Sequence, residues 1–244
     1  MNMTPPAREG ALAKKVALVT GGSRGIGYAI AEALTALGVT AAITGRSTRD
    51  LDQARERLGG QTLVLAADVR NPGQAERAVQ QTVDRFGGLD VLVNNAGVGV
   101  FGNLADLSIA DWHSVMETNL SGVFYFCRAA IPHLRQRGGG WIINISSLAS
   151  KNPFTGGTAY CASKAGLNAL SEALMQEVRY DNIRVSYVLP GSVATGFSGR
   201  GRSGQADWKI APEDVAQVVV DLLLMPQRSL PSRVELRPSL PPRK

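Results

Sequence analysis

Residues 16–27 constrain the fold more than any other stretch. A short apolar run, Val16-Ala17-Leu18-Val19-Thr20, gives way to Gly21-Gly22-Ser23-Arg24-Gly25-Ile26-Gly27, and Ile26, Ile30, Ala33, Leu34 and Leu37 then recur three and four apart. That spacing lines one face of a helix, so the passage predicts strand, glycine turn and helix, with Gly38 as the stop. The alternation continues along the chain. Strands are expected at 40–44, 62–66, 91–93, 141–145, 183–189 and 233–236. Helices are expected over 48–58, 72–86 with Pro72 in the first turn, 108–137, 158–178 and 211–225. Uniformly apolar strands that alternate with helices belong to an α/β fold, a parallel sheet covered on both faces. The 244 residues suffice for one large core, so a single domain over 1–244 is expected, with flexible ends at 1–13 and 238–244.

The glycine turn sits between a strand and a helix, where main-chain N–H groups and the helix dipole can hold a pyrophosphate. Its spacing is G-x-x-x-G-x-G, with Gly21, Gly25 and Gly27 in the glycine places. The end of the second strand decides between the two nicotinamide dinucleotides. A carboxylate there would receive a ribose 2′-hydroxyl and repel a 2′-phosphate. The chain instead has Gly45-Arg46-Ser47, and Arg46 with Arg24 offers two guanidinium forks suited to phosphate. The expected cofactor is therefore NADP(H). Asp68 and Val69, after the third strand, stand where a carboxylate could hold an adenine amino group, or where an aspartate could cap the next helix.

Composition removes several other classes. The 26 Lys and Arg exceed the 20 Asp and Glu by six, and four of the six arise beyond residue 227, where Arg228, Arg233, Arg237, Arg243 and Lys244 face Glu235 alone. Nucleic-acid binding is not expected from a body so close to neutral. Cys127 and Cys161 have no paired spacing, so no disulfide is expected. The longest apolar stretch, 215–225, is interrupted by Gln217 and Asp221 and is too short for a membrane span. A cytoplasmic setting without membrane association follows as an expectation. His113 and His133 lack partners at ligand spacing, so no metal is expected.

Tyr160-Cys161-Ala162-Ser163-Lys164 opens a predicted helix and places phenol and ammonium on one face. A cation beside a tyrosine favours the phenolate and so makes proton exchange with a substrate oxygen feasible. Further motifs stand in order along the chain: Asn94-Asn95-Ala96-Gly97 after the fourth strand, Asn119, Ser147 thirteen residues before Tyr160, and Pro190-Gly191 followed by Val193 and Thr195. In this combination the chain resembles the short-chain dehydrogenase/reductase family from Lys15 to about Leu236, and within it the NADPH-dependent 3-oxoacyl-[acyl-carrier-protein] reductases. The 195–211 segment is shorter than the substrate lid of that subgroup.

The resemblance implies a Rossmann-type, doubly wound sheet of about seven strands. It implies Tyr160 as proton donor in reduction, and Lys164 as a ligand of the nicotinamide ribose that also lowers the Tyr160 pKa. Ser147 would hydrogen-bond the substrate carbonyl, and Asn119 would organise a relay water. Gly21, Ser23, Arg24, Gly25, Ile26, Gly27, Arg46, Asp68, Val69, Asn95, Ala96, Gly97, Pro190, Gly191, Val193 and Thr195 would hold the cofactor, with Asn94 beside them steadying the sheet. The expected partner is a small carbonyl, alcohol or acyl thioester, and the resemblance suggests a homotetramer built on the helices from Ser108 and Thr158. Glycines 191, 196, 199, 201 and 204 make 191–209 a mobile-loop candidate, with Trp208 beside it as a possible substrate contact. Trp112 and Trp141 read as packing residues, and Cys161 as a small residue behind the tyrosine. The competing classes are a non-catalytic dinucleotide sensor and an anionic-surface binder resting on the basic tail.

Overall fold

The computed structural model describes residues 12–198 and 207–242. The strands are β1 (Val16–Val19), β2 (Thr40–Gly45), β3 (Leu63–Ala66), β4 (Val91–Asn94), β5 (Gly140–Ile145), β6 (Ile183–Pro190) and β7 (Arg233–Leu236). They form one sheet in the order β3-β2-β1-β4-β5-β6-β7, with every neighbouring pair parallel. Successive side chains of a strand face opposite ways, and here both sides are buried. Ala17, Val19, Val91, Val93, Ile143 and Ile145 enter one core, whereas Leu18, Leu92 and Ile142 enter the other. Two buried faces are why the strands read as unbroken apolar runs rather than as alternating ones.

The helices α1 (Gly25–Ala36), α2 (Thr48–Leu58) and α7 (Pro212–Leu224) supply the first core, and α3 (Pro72–Phe86), α5 (Gly122–Gln136) and α6 (Thr158–Val178) the second. Three starts are capped as their sequences suggest. Ser47, Asn71 and Ser108 accept from the main-chain N–H of Asp50, Gln74 and Asp111, opening α2, α3 and α4 (Ile109–Met116). No side chain caps α1, and its first turn holds no acid. None of the helices is long and apolar enough to cross a membrane, among the described residues.

The structure departs from the sequence reading in three places. The single helix expected over 108–137 is divided by a π turn at Glu117–Ser121, in which the Gly122 N–H reaches back to the Glu117 carbonyl. The inserted residue widens the turn and leaves main-chain groups outside the regular ladder. Secondly, the expected flexible ends are partly built into the fold. Leu12 is buried in the first core. Pro238 packs so closely on Gly191 that a Cβ there would lie 2.9 Å from the proline Cδ. Thirdly, the basic tail is dispersed in the fold: Arg233 lies in β7, and Arg237 shares Glu235 with Lys151. Arg243 and Lys244 lie outside the described residues.

Candidate active site

The strand order reverses between β1 and β4, and their C-terminal ends part to form a crevice. Thr20 stitches the two sides together: its hydroxyl accepts from the N–H groups of Asn95 (3.0 Å) and Ala96 (3.1 Å). The Asn95 amide donates back to the carbonyls of Thr20 and Gly21 at 3.0 and 3.1 Å. Gly21 and Gly25 adopt φ of 64° and 57°, which favours glycine. At Gly27 a Cβ would fall 2.3 Å from both the Asn95 amide nitrogen and the Gly21 oxygen. The turn is thus braced by the Thr20 and Asn95 side chains, above a helix whose N-terminus no side chain caps. Such a cradle fits a phosphate group. Thr195 closes it from the β6 side, its methyl 3.5 Å from where a Gly25 Cβ would stand.

Arg24 and Arg46 are both exposed, and neither makes an ion pair among the described residues. The end of β2 abuts the turn, since a Cβ at Gly45 would lie 3.4 Å from the Ser23 hydroxyl. Asp68 is neither a free carboxylate nor the cap of α3, which Asn71 provides. Arg70 grips it through Nε at 3.0 Å and a terminal nitrogen at 2.6 Å. That hydrogen bonding holds its carboxyl below the ordinary range, and the Arg46 charge adds to the effect. Val69 is buried in the second core, so it offers a cofactor main chain only. Ile26 packs on the first core at the foot of the turn.

Asn94, expected beside the cofactor residues and steadying the sheet, lies within the sheet and links its strands. Its side chain is buried and donates to Asn144 (2.9 Å) and the Cys127 sulfur (3.3 Å), which joins β4 to β5 and α5. Burial pushes the Cys127 thiol up to about 12.

Ser147 follows β5, and its hydroxyl accepts from the Ala149 N–H at 3.1 Å. Tyr160 and Lys164 share one face of α6. Lys164 is only 4 % exposed, and its ammonium donates to the Ile145 carbonyl at 2.8 Å. Burial brings its pKa down to about 8. The expectation that Lys164 lowers the Tyr160 pKa is corrected here. Burial raises the phenol above its ordinary 10, the Ser147 hydroxyl partly offsets this, and Cys161 raises it further. The Lys164 Nζ lies 6.0 Å from the Tyr160 ring centroid and is tied to β5.

Asn119 sits fully buried in the π turn. Its amide donates to the Val98 carbonyl (2.9 Å) and the Ser163 hydroxyl (3.0 Å), and its oxygen accepts from the Val98 N–H (2.8 Å). With both side-chain N–H groups engaged, it can hold a water through the second lone pair of its side-chain oxygen or through the main chain loosened by the π turn. Gly97 lies between the parts: a Cβ there would stand 3.3 Å from the Asn119 oxygen and 3.7 Å from the Lys164 ammonium.

Pro190 ends β6, and the Gly191 N–H donates to the Leu236 carbonyl at 2.8 Å. The 191–209 segment is pinned at its ends. Val193 bridges to Ile210, and the Ala194 and Ile210 N–H groups donate to the carbonyls of Ile210 (2.9 Å) and Ser192 (3.0 Å). Gly199, Gly201 and Gly204 lie outside the described residues. Trp208 is half-buried, Trp141 lies under the Arg184 guanidinium at 4.2 Å, His113 is exposed, and Cys161 is buried.

Two features escaped the sequence reading. Phe101 and Phe197 flank Tyr160, their ring centroids each 5.7 Å from its own, and Phe154 extends the cluster 5.9 Å beyond Phe101. Their signal was a lone phenylalanine within two residues of a glycine in each loop at the C-terminal edge of the sheet. Asn168, one turn beyond Lys164, bridges both sides of Ser147: it accepts from the Ser146 hydroxyl at 2.6 Å and donates to that of Ser150 at 2.8 Å. No local pattern marks it, because its partners lie about twenty residues away.

Residues 15–206 match the family model of short chain dehydrogenases. The ketoacyl reductase HetN of Nostoc sp. is 39 % identical over 186 residues, covering 75 % of this chain and 65 % of that protein. An alcohol dehydrogenase of the archaeon Thermococcus sibiricus, complexed with 5-hydroxy-NADP, superposes with a TM-score of 0.87 at 31 % identity, covering 94 % of this chain and 99 % of that one. A metagenomic short-chain oxidoreductase in complex with NADP reaches a TM-score of 0.83 at 38 % identity, with the same coverage.

Proposed function

The chain belongs to the short-chain dehydrogenase family, and on that premise we propose that it is an NADP(H)-dependent enzyme interconverting a carbonyl compound and its secondary alcohol. The observation that carries this reading is the meeting of Ser147, Tyr160 and Lys164 beside the open glycine cradle, with the Asn119 oxygen and the Lys164 ammonium so near Gly97 that a Cβ there would lie 3.3 and 3.7 Å from them. NADPH, when bound, supplies the hydride that reaches the carbonyl carbon and departs as NADP+. The T. sibiricus and metagenomic structures, both complexed with an NADP compound, support that cofactor. Arg24 and Arg46 favour the phosphorylated form, since unpaired guanidinium groups suit a 2′-phosphate.

In this reading the glycine turn and the α1 N-terminus hold the pyrophosphate, and Thr195 and Val193 flank it from the opposite wall. Ser147 donates to the substrate oxygen and orients it. Tyr160 passes its proton to that oxygen as the carbon accepts hydride, so C=O becomes CH–OH. A phenol held above its ordinary pKa is fully protonated at neutral pH, which suits reduction. Lys164, poised near 8, binds the nicotinamide ribose and returns a proton to the phenolate through water held by Asn119. The intact Ser147, Tyr160 and Lys164 set has no use in a mere dinucleotide sensor, which argues against that class.

A 3-oxoacyl thioester is one candidate substrate, supported by the sequence resemblance and by HetN being a ketoacyl reductase. Reduction of another ketone is favoured by the aromatic rings about Tyr160. A homo-oligomer would have apolar surface to cover at Ile109 of α4 and Phe124 of α5, both exposed. The test is Tyr160→Phe, which should lower turnover by about 10²–10⁴ while NADPH titration by fluorescence stays within about twofold. Turnover near that of the parent would refute the role of Tyr160.

A further inference from the structure

Each of the three loops at the mouth of the site contributes one phenylalanine. Phe101 follows β4, Phe154 precedes α6, and Phe197 follows β6. The rings are 46, 49 and 44 % exposed, an unusual state for three large aromatics gathered in one cluster. Their seats are built into the backbone. A Cβ at Gly99 would lie 2.7 Å from the Phe101 ring and 3.0 Å from that of Phe197, and one at Gly157 would lie 2.7 Å from that of Phe154. The first two loops are joined by a hydrogen bond from the Gly102 N–H to the Gly156 carbonyl at 2.9 Å. Phe101 meets the Tyr160 ring edge-on at 67°, and Phe197 meets it at 57°. Each ring therefore has one side supported and the other open.

We infer that these rings form the seat for a flat apolar group, so that the site takes ketones bearing an aromatic or alicyclic ring in preference to acyclic acyl thioesters. The inference rests on the carbonyl-reductase reading of the same site. A carbonyl oxygen that meets the Tyr160 and Ser147 hydroxyls must bring its substituents against rings within 6 Å of that tyrosine. Flat apolar groups gain from offset or edge contacts with such rings, beyond the area they bury. Among the described residues of the three loops, the charged side chains are Asp106, Lys151, Asp207 and Lys209; Lys151 is held by Glu235, and the Lys209 ammonium lies 5.9 Å from the Trp208 ring.

The experiment compares NADPH oxidation with 1-tetralone and with acetoacetyl-coenzyme A, for the full-length parent and for Phe197→Ala, Phe101→Ala and Gly99→Ala. Gly99→Ala adds one methyl group and no polarity, yet must displace two rings. The parent should prefer the cyclic ketone in kcat/KM. In each variant the ratio of the two efficiencies should fall about tenfold, mainly through KM for the cyclic ketone. Phe197→Leu, which keeps an apolar side chain and loses the flat ring, guards against misfolding in the alanine variants and should lower the ratio in the same direction. A parent that prefers the thioester, or variants that lower both efficiencies equally, would overturn the inference and leave the reductase reading intact. NADPH binding without oxidation against either ketone or a wider carbonyl panel would overturn both.

Discussion

Lys164→Met should make the protein more stable and inactive. Lys164 is buried and held near 8, whereas an exposed lysine titrates at 10.5. Below pH 8 it carries its proton in the native and the unfolded chain alike, so the native state bears the whole cost of an ammonium removed from water. That cost is about 3 kcal/mol at pH 7. Between pH 8 and 10.5 the unfolded chain keeps a proton that the native chain has released, so this penalty fades as pH rises and is about 1 kcal/mol at pH 10. Methionine fills similar space without charge but forfeits the hydrogen bond to the Ile145 carbonyl, a loss of about 1 kcal/mol. The variant should gain about 2 kcal/mol at pH 7 and almost nothing at pH 10. At pH 7 that corresponds to a Tm about 4–8 °C higher. Thermal and urea unfolding of the cofactor-free proteins, followed by circular dichroism at both pH values, measures it. A variant no more stable than the parent at pH 7, or a difference that ignores pH, would refute the reasoning.

Arg46→Asp places a carboxylate where the 2′-phosphate is expected and should shift the NADPH-to-NADH efficiency ratio toward NADH by about ten- to a hundredfold; an unchanged ratio in steady-state kinetics would contradict the phosphate role. Asn168→Ala removes the brace between Ser146 and Ser150 and should lower kcat about tenfold, with KM for NADPH unchanged, because the loosened turn misplaces the Ser147 hydroxyl. Partial recovery in Asn168→Gln would mark a positioning role, and equal loss in both variants with an altered KM for NADPH would count against it.

The regular elements were legible because local rules suffice for them. The helices expected over 72–86, with Pro72 in the first turn, and over 158–178 have the bounds observed for α3 and α6. The glycine turn and Tyr160 with Lys164 were legible as spacings in the chain, and Ser147 through the family resemblance. What escaped is of a different kind. The π turn at Glu117–Ser121 inserts one residue into a helix of unbroken periodicity, and only packing reveals it. The raised Tyr160 pKa follows first from burial, which is not visible in the sequence. The three phenylalanines lie about fifty residues apart and meet only when three loops converge. The tail misled for the same reason, because Pro238 reads as a frayed end until Gly191 is seen beneath it.

That contact also bears on the order of assembly. The ribosome releases β1 and the glycine turn first, and domains can begin to form as the chain emerges. Yet β6 has its outer partner only in β7, Gly191 donates to Leu236, and Pro238 closes over Gly191. The wall of the crevice that carries Val193 and Thr195 is therefore secured by residues translated later than the wall itself. A nascent chain halted before β7 has its glycine turn in place and an open strand edge where that wall is anchored. Fusions placed directly after Leu236 meet the same constraint.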